Sequence, residues 1–91
     1  MPRFVIERDI PGIGATPSEG LRGAAQASND ALMTLAPRVQ WQESYVSADK
    51  VYCVFIAEDE AVIAQHAELS GFPVTRVSRV ETVLDPTVGG R

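Results

Sequence analysis

Stretches in which apolar and polar residues alternate, separated by two stretches with helical spacing, divide this chain into six predicted elements. Four are strands, because they are rich in β-branched and aromatic residues and are bounded by turn-forming residues. The predicted strands cover residues 4–10, 39–46, 51–56 and 74–84.

The first helical stretch has a predicted start at residues 16–19, Thr-Pro-Ser-Glu. Thr16 offers an N-cap hydroxyl, Pro17 suits the first helical position, and Glu19 completes a capping box. We expect this helix to run to about Leu35. Its core face should carry Leu21, Ala24, Ala25, Ser28, Leu32 and Leu35.

The second helical stretch begins after three carboxylates at residues 58–60, which favour the positive end of a helix dipole. Gly71 is a suitable left-handed residue to end it. The spacing predicts an apolar stripe of Val62, Ile63, His66 and Leu69.

The predicted order β-α-β-β-α-β is that of the α+β ferredoxin-like fold, a four-stranded antiparallel sheet with two helices on one face. The other face of such a sheet is left open, and a small domain gains by burying it against a second copy. We therefore expect a homo-oligomer, a dimer or higher, of the dimeric α+β barrel type. The domain should span residues 1–85, followed by a flexible tail at 86–91.

The turn at residues 47–50 predicts a hairpin in which residue 45 pairs with 52 and residue 43 with 54. A loop longer by one residue would change this pairing. With the first register, one sheet face carries Trp41, Glu43, Tyr45, Tyr52, Val54 and Ile56. The other face carries Ser44, Cys53 and Phe55.

The composition and charge of the chain predict a one-domain globular protein without a nucleic-acid interface. The 91 residues suffice for one domain, and 45% hydrophobic with 22% charged residues is ordinary for a globular protein. A net charge of −4 with scattered basic residues excludes a nucleic-acid interface. We expect no membrane segment and no signal peptide, and a single cysteine, Cys53, favours a reducing compartment, so the predicted location is cytoplasmic.

His66 is the only histidine, and it lies on the apolar stripe of the second predicted helix. There it could act as a base or bind a metal as neutral imidazole. Spacing favours a buried structural histidine instead, because no second histidine or cysteine pair completes a zinc-type ligand set.

Trp41, Glu43, Tyr45 and Tyr52 form a predicted ligand pocket, with aromatic walls around one carboxylate. If Glu43 is buried against these rings, it becomes a candidate proton acceptor. The alternative is that the aromatic residues are there because strands favour them. Cys53 is predicted to be an inert core residue, since no histidine lies near it in sequence.

Several blocks together resemble a family of small bacterial proteins catalogued as domain of unknown function 4242, some members of which are named nickel-binding protein. The blocks are residues 41–46, 49–55, 66–67 and 71–73. The resemblance extends from Met1 to Pro86. It implies a ferredoxin-like fold, oligomers built on that fold, and His66 as a metal or proton site.

The favoured function is therefore a homo-oligomer that binds a divalent metal of the nickel type, or a small ligand, without an organic cofactor. His66 would supply nitrogen, and Glu43 or groups of a second copy would complete the metal site. The alternative is a cofactor-free enzyme acting on a small organic substrate, with Trp41, Tyr45 or Tyr52 lining its pocket. A non-catalytic interaction module is the third hypothesis.

Overall fold

The computed structural model describes residues 1–90, and within them the six elements follow the predicted order. They are β1 (Arg3–Asp9), α1 (Ser18–Leu35), β2 (Val39–Val46), β3 (Lys50–Ala57), α2 (Glu60–Ser70) and β4 (Arg76–Arg79). The strands form one antiparallel sheet in the order β2-β3-β1-β4. The predicted ferredoxin-like fold is confirmed.

The ends of α2 lie where the sequence predicts them, although the capping bond of Asp59 was not among the predictions. The carboxylate of Asp59 accepts a hydrogen bond from the backbone N–H of Val62 at 3.0 Å, which satisfies a donor that the first helical turn leaves free. At the other end Gly71 has a φ of +80°, the left-handed conformation that glycine adopts without steric cost.

The start of α1 differs from the prediction. The helix begins at Ser18, and Pro17 precedes it in extended conformation with no side-chain capping bond. The carbonyl of Pro17 already accepts from the N–H of Leu21 at 3.1 Å. Because Pro17 is the N-cap residue and not the first helical residue, Thr16 and Glu19 are out of position, and the predicted capping box is wrong.

The hydrophobic core lies between the sheet and the two helices. Two predicted core positions are wrong, because Leu21 and Leu69 are 36% and 55% exposed. Each lies near an end of its helix, and Leu21 lies at the wall of a cavity between the helices and the sheet instead of in the packed core. The largest fully buried side chains are Phe4, Ile6, Phe55, Val62, Ile63 and His66.

The β2–β3 hairpin has the predicted register near its turn, where Glu43 pairs with Val54 and Tyr45 with Tyr52. Between Trp41 and Glu43 the register shifts at a bulge, so Trp41 lies opposite Phe55. A bulge moves all residues beyond it to the other face of the sheet. The predicted placement of Trp41 beside Glu43 is therefore wrong, and Trp41 faces the helices.

The C-terminal segment contains less strand than predicted, since β4 covers Arg76–Arg79 of the expected 74–84. Residues Pro86–Gly89 form an exposed 3₁₀ helix whose first turn is capped by the Asp85 carboxylate, 2.9 Å from the N–H of Thr87. Flexibility of the tail stays a prediction, and its last residue, 91, lies outside the described residues. No helix among residues 1–90 has the length and apolar character needed to cross a bilayer.

Candidate functional site

A cavity of about 240 Å³ lies between the helices and the sheet. Its walls are mostly apolar, and a few polar side chains from several elements converge on it, which is the usual composition of a small-molecule site. The residues that matter for its chemistry are Arg8, Ser28, Trp41, Cys53, His66 and Phe72.

His66 of α2 is 1% exposed and forms part of the cavity wall. Its Nε2 lies 3.0 Å from the hydroxyl oxygen of Ser28 on α1, and its ring meets the edge of Phe55 at a centroid distance of 4.9 Å. The other ring nitrogen, Nδ1, is buried and has no hydrogen-bond partner within residues 1–90. A buried polar atom without a partner costs folding free energy, so it marks a position where a ligand could bind.

The electrostatic surroundings keep His66 neutral. Burial lowers the pKa of His66 from its ordinary 6.5, because the charged imidazolium loses its hydration. The positive charge of Arg8 lowers this pKa further, and an interaction with the Ser28 backbone opposes both effects. At neutral pH the ring is therefore an uncharged donor and acceptor.

Arg8 is a buried guanidinium that no carboxylate neutralises within residues 1–90. It is 2% exposed. Its Nε donates to the Cys53 sulfur at 3.4 Å, and Nη1 donates to the Pro73 carbonyl at 2.9 Å. Its central carbon lies 5.7 Å from the centre of the Phe72 ring. These weak neutral partners leave a positive charge at the wall of an apolar cavity.

Sequence reasoning missed Arg8, although the pattern of β1 held a signal. Phe4, Ile6 and Arg8 alternate along the strand, and all three are buried on the helix face. An arginine at an inward position breaks the alternation of a half-buried strand, and such local conflicts are typical of functional sites.

The predicted aromatic pocket of Trp41, Glu43, Tyr45 and Tyr52 is divided between two faces of the sheet. Trp41 lines the cavity, where its Nε1–H donates to the Ser44 hydroxyl at 2.9 Å. Glu43, Tyr45 and Tyr52 lie on the open face, where the Tyr45 hydroxyl donates to the Glu43 carboxylate. The structure thus joins Trp41 with His66 and separates both from Glu43.

The residues present do not fit a nickel ion within one chain. No cluster of three or more histidine, cysteine, aspartate or glutamate side chains exists among residues 1–90. Glu43 is exposed on the face of the sheet opposite to His66. The charge of Arg8 near His66 also disfavours a cation there. A single chain therefore does not bring the predicted ligands His66 and Glu43 together.

The chain is similar to one protein family model and to a solved structure. A family model described as "Nickel responsive protein SCO4226-like" matches residues 4–80. Among solved structures, the crystal structure of SCO4226 from Streptomyces coelicolor A3(2) aligns with a TM-score of 0.72 at 20% identity, over 90% of this chain and 99% of that chain. A search of curated proteins finds no match. The structural likeness supports the fold, and the family match is to a model described as nickel responsive. The identification with domain of unknown function 4242 stays a prediction.

Proposed function

This chain belongs to the SCO4226-like family of nickel responsive proteins, and we propose that within this family it is a binding protein for a small organic molecule. The ligand site is the cavity between the helices and the sheet. The observation that carries the proposal is an apolar cavity whose wall includes His66, a buried residue with an unpartnered Nδ1.

The shape and lining of the cavity support this proposal. A dry apolar cavity of roughly 150 Å³ is enough to bind benzene in an engineered protein, and the volume here is about 240 Å³. Apolar walls provide affinity, and the polar groups of His66 and Ser28 would orient the ligand. The single tryptophan of the chain, Trp41, also lines the cavity, so its fluorescence reports directly on occupancy.

The test is a titration of the full chain with benzene-sized probes, benzyl alcohol and benzoate, followed by Trp41 fluorescence and by the melting temperature. We expect saturable changes in both. Ala25→Leu, which adds carbon atoms at the cavity wall, should weaken binding, whereas Ala64→Leu on the exposed side of α2 should not. Binding unaffected by Ala25→Leu, or no binding at all, would rule out this site. Chemical conversion of a bound probe would favour the cofactor-free enzyme.

A homo-oligomer built on the open face of the sheet is part of this proposal. That face carries Tyr45 and Tyr52, which are 57% and 37% exposed. Pairing two such faces would bury aromatic surface that a small domain otherwise leaves in water. Light scattering after size-exclusion chromatography should give at least twice the mass of one chain, and Tyr45→Glu should lower it. A monomer at all concentrations would contradict this assembly.

Divalent-metal binding by the oligomer is the second candidate function. Its support is the description of the family and the free Nδ1 of His66. Because one chain does not supply a ligand set, a second copy would have to contribute carboxylates such as Glu43 from the helix side, through a contact other than the pairing of open faces. Equilibrium dialysis of metal-free protein against Ni²⁺ tests this directly. Stoichiometric binding that is lost in both His66→Ala and Glu43→Gln supports it, and absence of binding eliminates it.

A further inference from the structure

We infer that the ligand of the cavity is a small organic anion, a compact apolar body that carries one carboxylate, and that the guanidinium of Arg8 binds this carboxylate. The inference rests on the proposed ligand site and goes further by assigning the charge of the ligand and the residue that selects it. Four observations support it: the burial of Arg8, its lack of an ionic partner, the position of the nearby acids and the lining of the cavity.

The guanidinium of Arg8 stays positively charged in a buried position, where a charge without hydration destabilises the fold. Arginine is protonated throughout the physiological range of pH, and a buried ion without a counter-ion lowers the stability of a fold. Within residues 1–90 the guanidinium has only the Cys53 sulfur and the Pro73 carbonyl as hydrogen-bond acceptors. No bond from Nη2 to this part of the chain exists. A bound carboxylate would supply the missing charge and accept from the free N–H groups.

The acids next to Arg8 in sequence do not neutralise it. Glu7 and Asp9 flank Arg8 on β1, and alternation along a strand directs them to the opposite face. Both instead approach the ammonium of Lys50, each at 3.4 Å. The same strand thus has its two carboxylates paired with Lys50 on the open side and an arginine without an ionic partner on the cavity side.

The lining of the rest of the cavity indicates that the part of the ligand other than its carboxylate is apolar. Leu21, Val46, Val51 and Phe55 contribute apolar walls, so a second charged group on the ligand would lose its hydration without compensation. The neutral His66 ring adds no second charge to the wall, so the guanidinium of Arg8 is the charge that the ligand has to match. A ring or short branched chain with a single carboxylate satisfies both requirements, whereas dicarboxylates and amino acids do not.

The experiment compares three probes of similar size in wild type: benzoate, benzyl alcohol and benzylamine. Trp41 fluorescence is measured in a buffer without organic anions. We expect benzoate to bind at least about tenfold more tightly than benzyl alcohol, since a charge-assisted bidentate bond replaces a neutral one. Benzylamine should not bind. Acetate should bind far more weakly than benzoate, because it lacks the apolar body.

Arg8→Met should reverse this preference, so that benzyl alcohol binds as well as or better than benzoate. Arg3→Met, at the exposed start of the same strand, should leave wild-type selectivity intact. If Arg8→Met does not fold, Arg8→Lys is the replacement variant for the same test. It should retain a reduced preference for benzoate. Equal binding of benzoate and benzyl alcohol by wild type would overturn the inference while leaving the ligand site in place. No binding of either would overturn both.

Discussion

Ser28 on α1 and His66 on α2 are joined by a hydrogen bond of 3.0 Å between the hydroxyl oxygen and Nε2. Both side chains are buried, so water does not replace the bond if it is lost. The contact connects the two helices of the fold and fixes the orientation of the imidazole ring at the cavity wall.

Ser28→Ala should therefore destabilise the protein by about 1–3 kcal/mol, because Nε2 of His66 would be left buried without a partner. Urea unfolding monitored by circular dichroism measures the change. Asn29→Ala, at the exposed neighbouring position, should shift the free energy of unfolding by no more than about 0.5 kcal/mol. Equal effects of the two substitutions would show that the bond contributes little.

The stability of the protein should fall as the pH drops below about 6.5. Burial, followed by the charge of Arg8, lowers the pKa of His66 from 6.5 in the folded state. The unfolded chain then binds the proton more readily, so the free energy of unfolding decreases as the pH falls from 6.5 towards the lowered pKa and is unaffected by this group above 6.5. Of the groups that act on the ring, Ser28 and Phe55 carry no charge and Arg8 is positive.

Urea unfolding between about pH 8 and pH 5 measures this dependence. In His66→Gln the slope around pH 6 should largely disappear, because His66 is the only histidine. An NMR titration of the imidazole in the wild type provides the same information without a substitution. An imidazole that titrates at or above 6.5 would contradict the prediction.

Arg8→Met should raise the pKa of His66 towards its ordinary value. Burial remains in this variant, but the positive charge that opposes protonation is gone. The imidazole resonances measured by NMR as a function of pH give the shift. Arg38→Met removes a guanidinium that is paired with Glu58 at 2.7 Å on the surface, and it should leave the titration unchanged. An unaltered pKa in Arg8→Met would place the two charges too far apart to interact.

Two glycines should respond oppositely to alanine. A Cβ at Gly14 would lie 2.7 Å from the Ser47 carbonyl oxygen and 2.8 Å from the Ala48 Cα, both backbone atoms that cannot move easily. Gly14→Ala should cost about 1–3 kcal/mol of stability. Gly23 in α1 has open space around it, and Gly23→Ala should stabilise by about 0.5–1 kcal/mol through helix propensity. Chemical denaturation of both variants tests the pair, and a common sign would contradict it.

The features that depend on local sequence were predictable. The period of the apolar residues gave six elements in the correct order, because side-chain spacing distinguishes strands from helices. The ends of α2 were marked by the carboxylates of residues 58–60 and by Gly71, through chemistry that acts within one helical turn. The pairing of Tyr45 with Tyr52 followed from the length of the turn between them.

The candidate site was only partly predictable. His66 was identified from its type and its place on the apolar stripe, but its buried bond to Ser28 joins residues far apart in the chain. Trp41 was assigned to the wrong face, because a bulge depends on how the whole hairpin packs against the helices. Arg8 was overlooked although it continues the inward alternation of Phe4 and Ile6, since the pattern alone does not show that a cavity lies beside that end of the strand.

The elements, their order and the turn that sets the hairpin register follow from interactions between residues close along the chain, so the amino-acid pattern is enough to predict them. The meeting of Arg8, Trp41 and His66 at one cavity, with Glu43 outside it, arises only when distant segments pack together. That meeting depends on the bulge in β2 and on the position of two helices over the sheet. Both are properties of packing between distant segments, which local spacing does not encode.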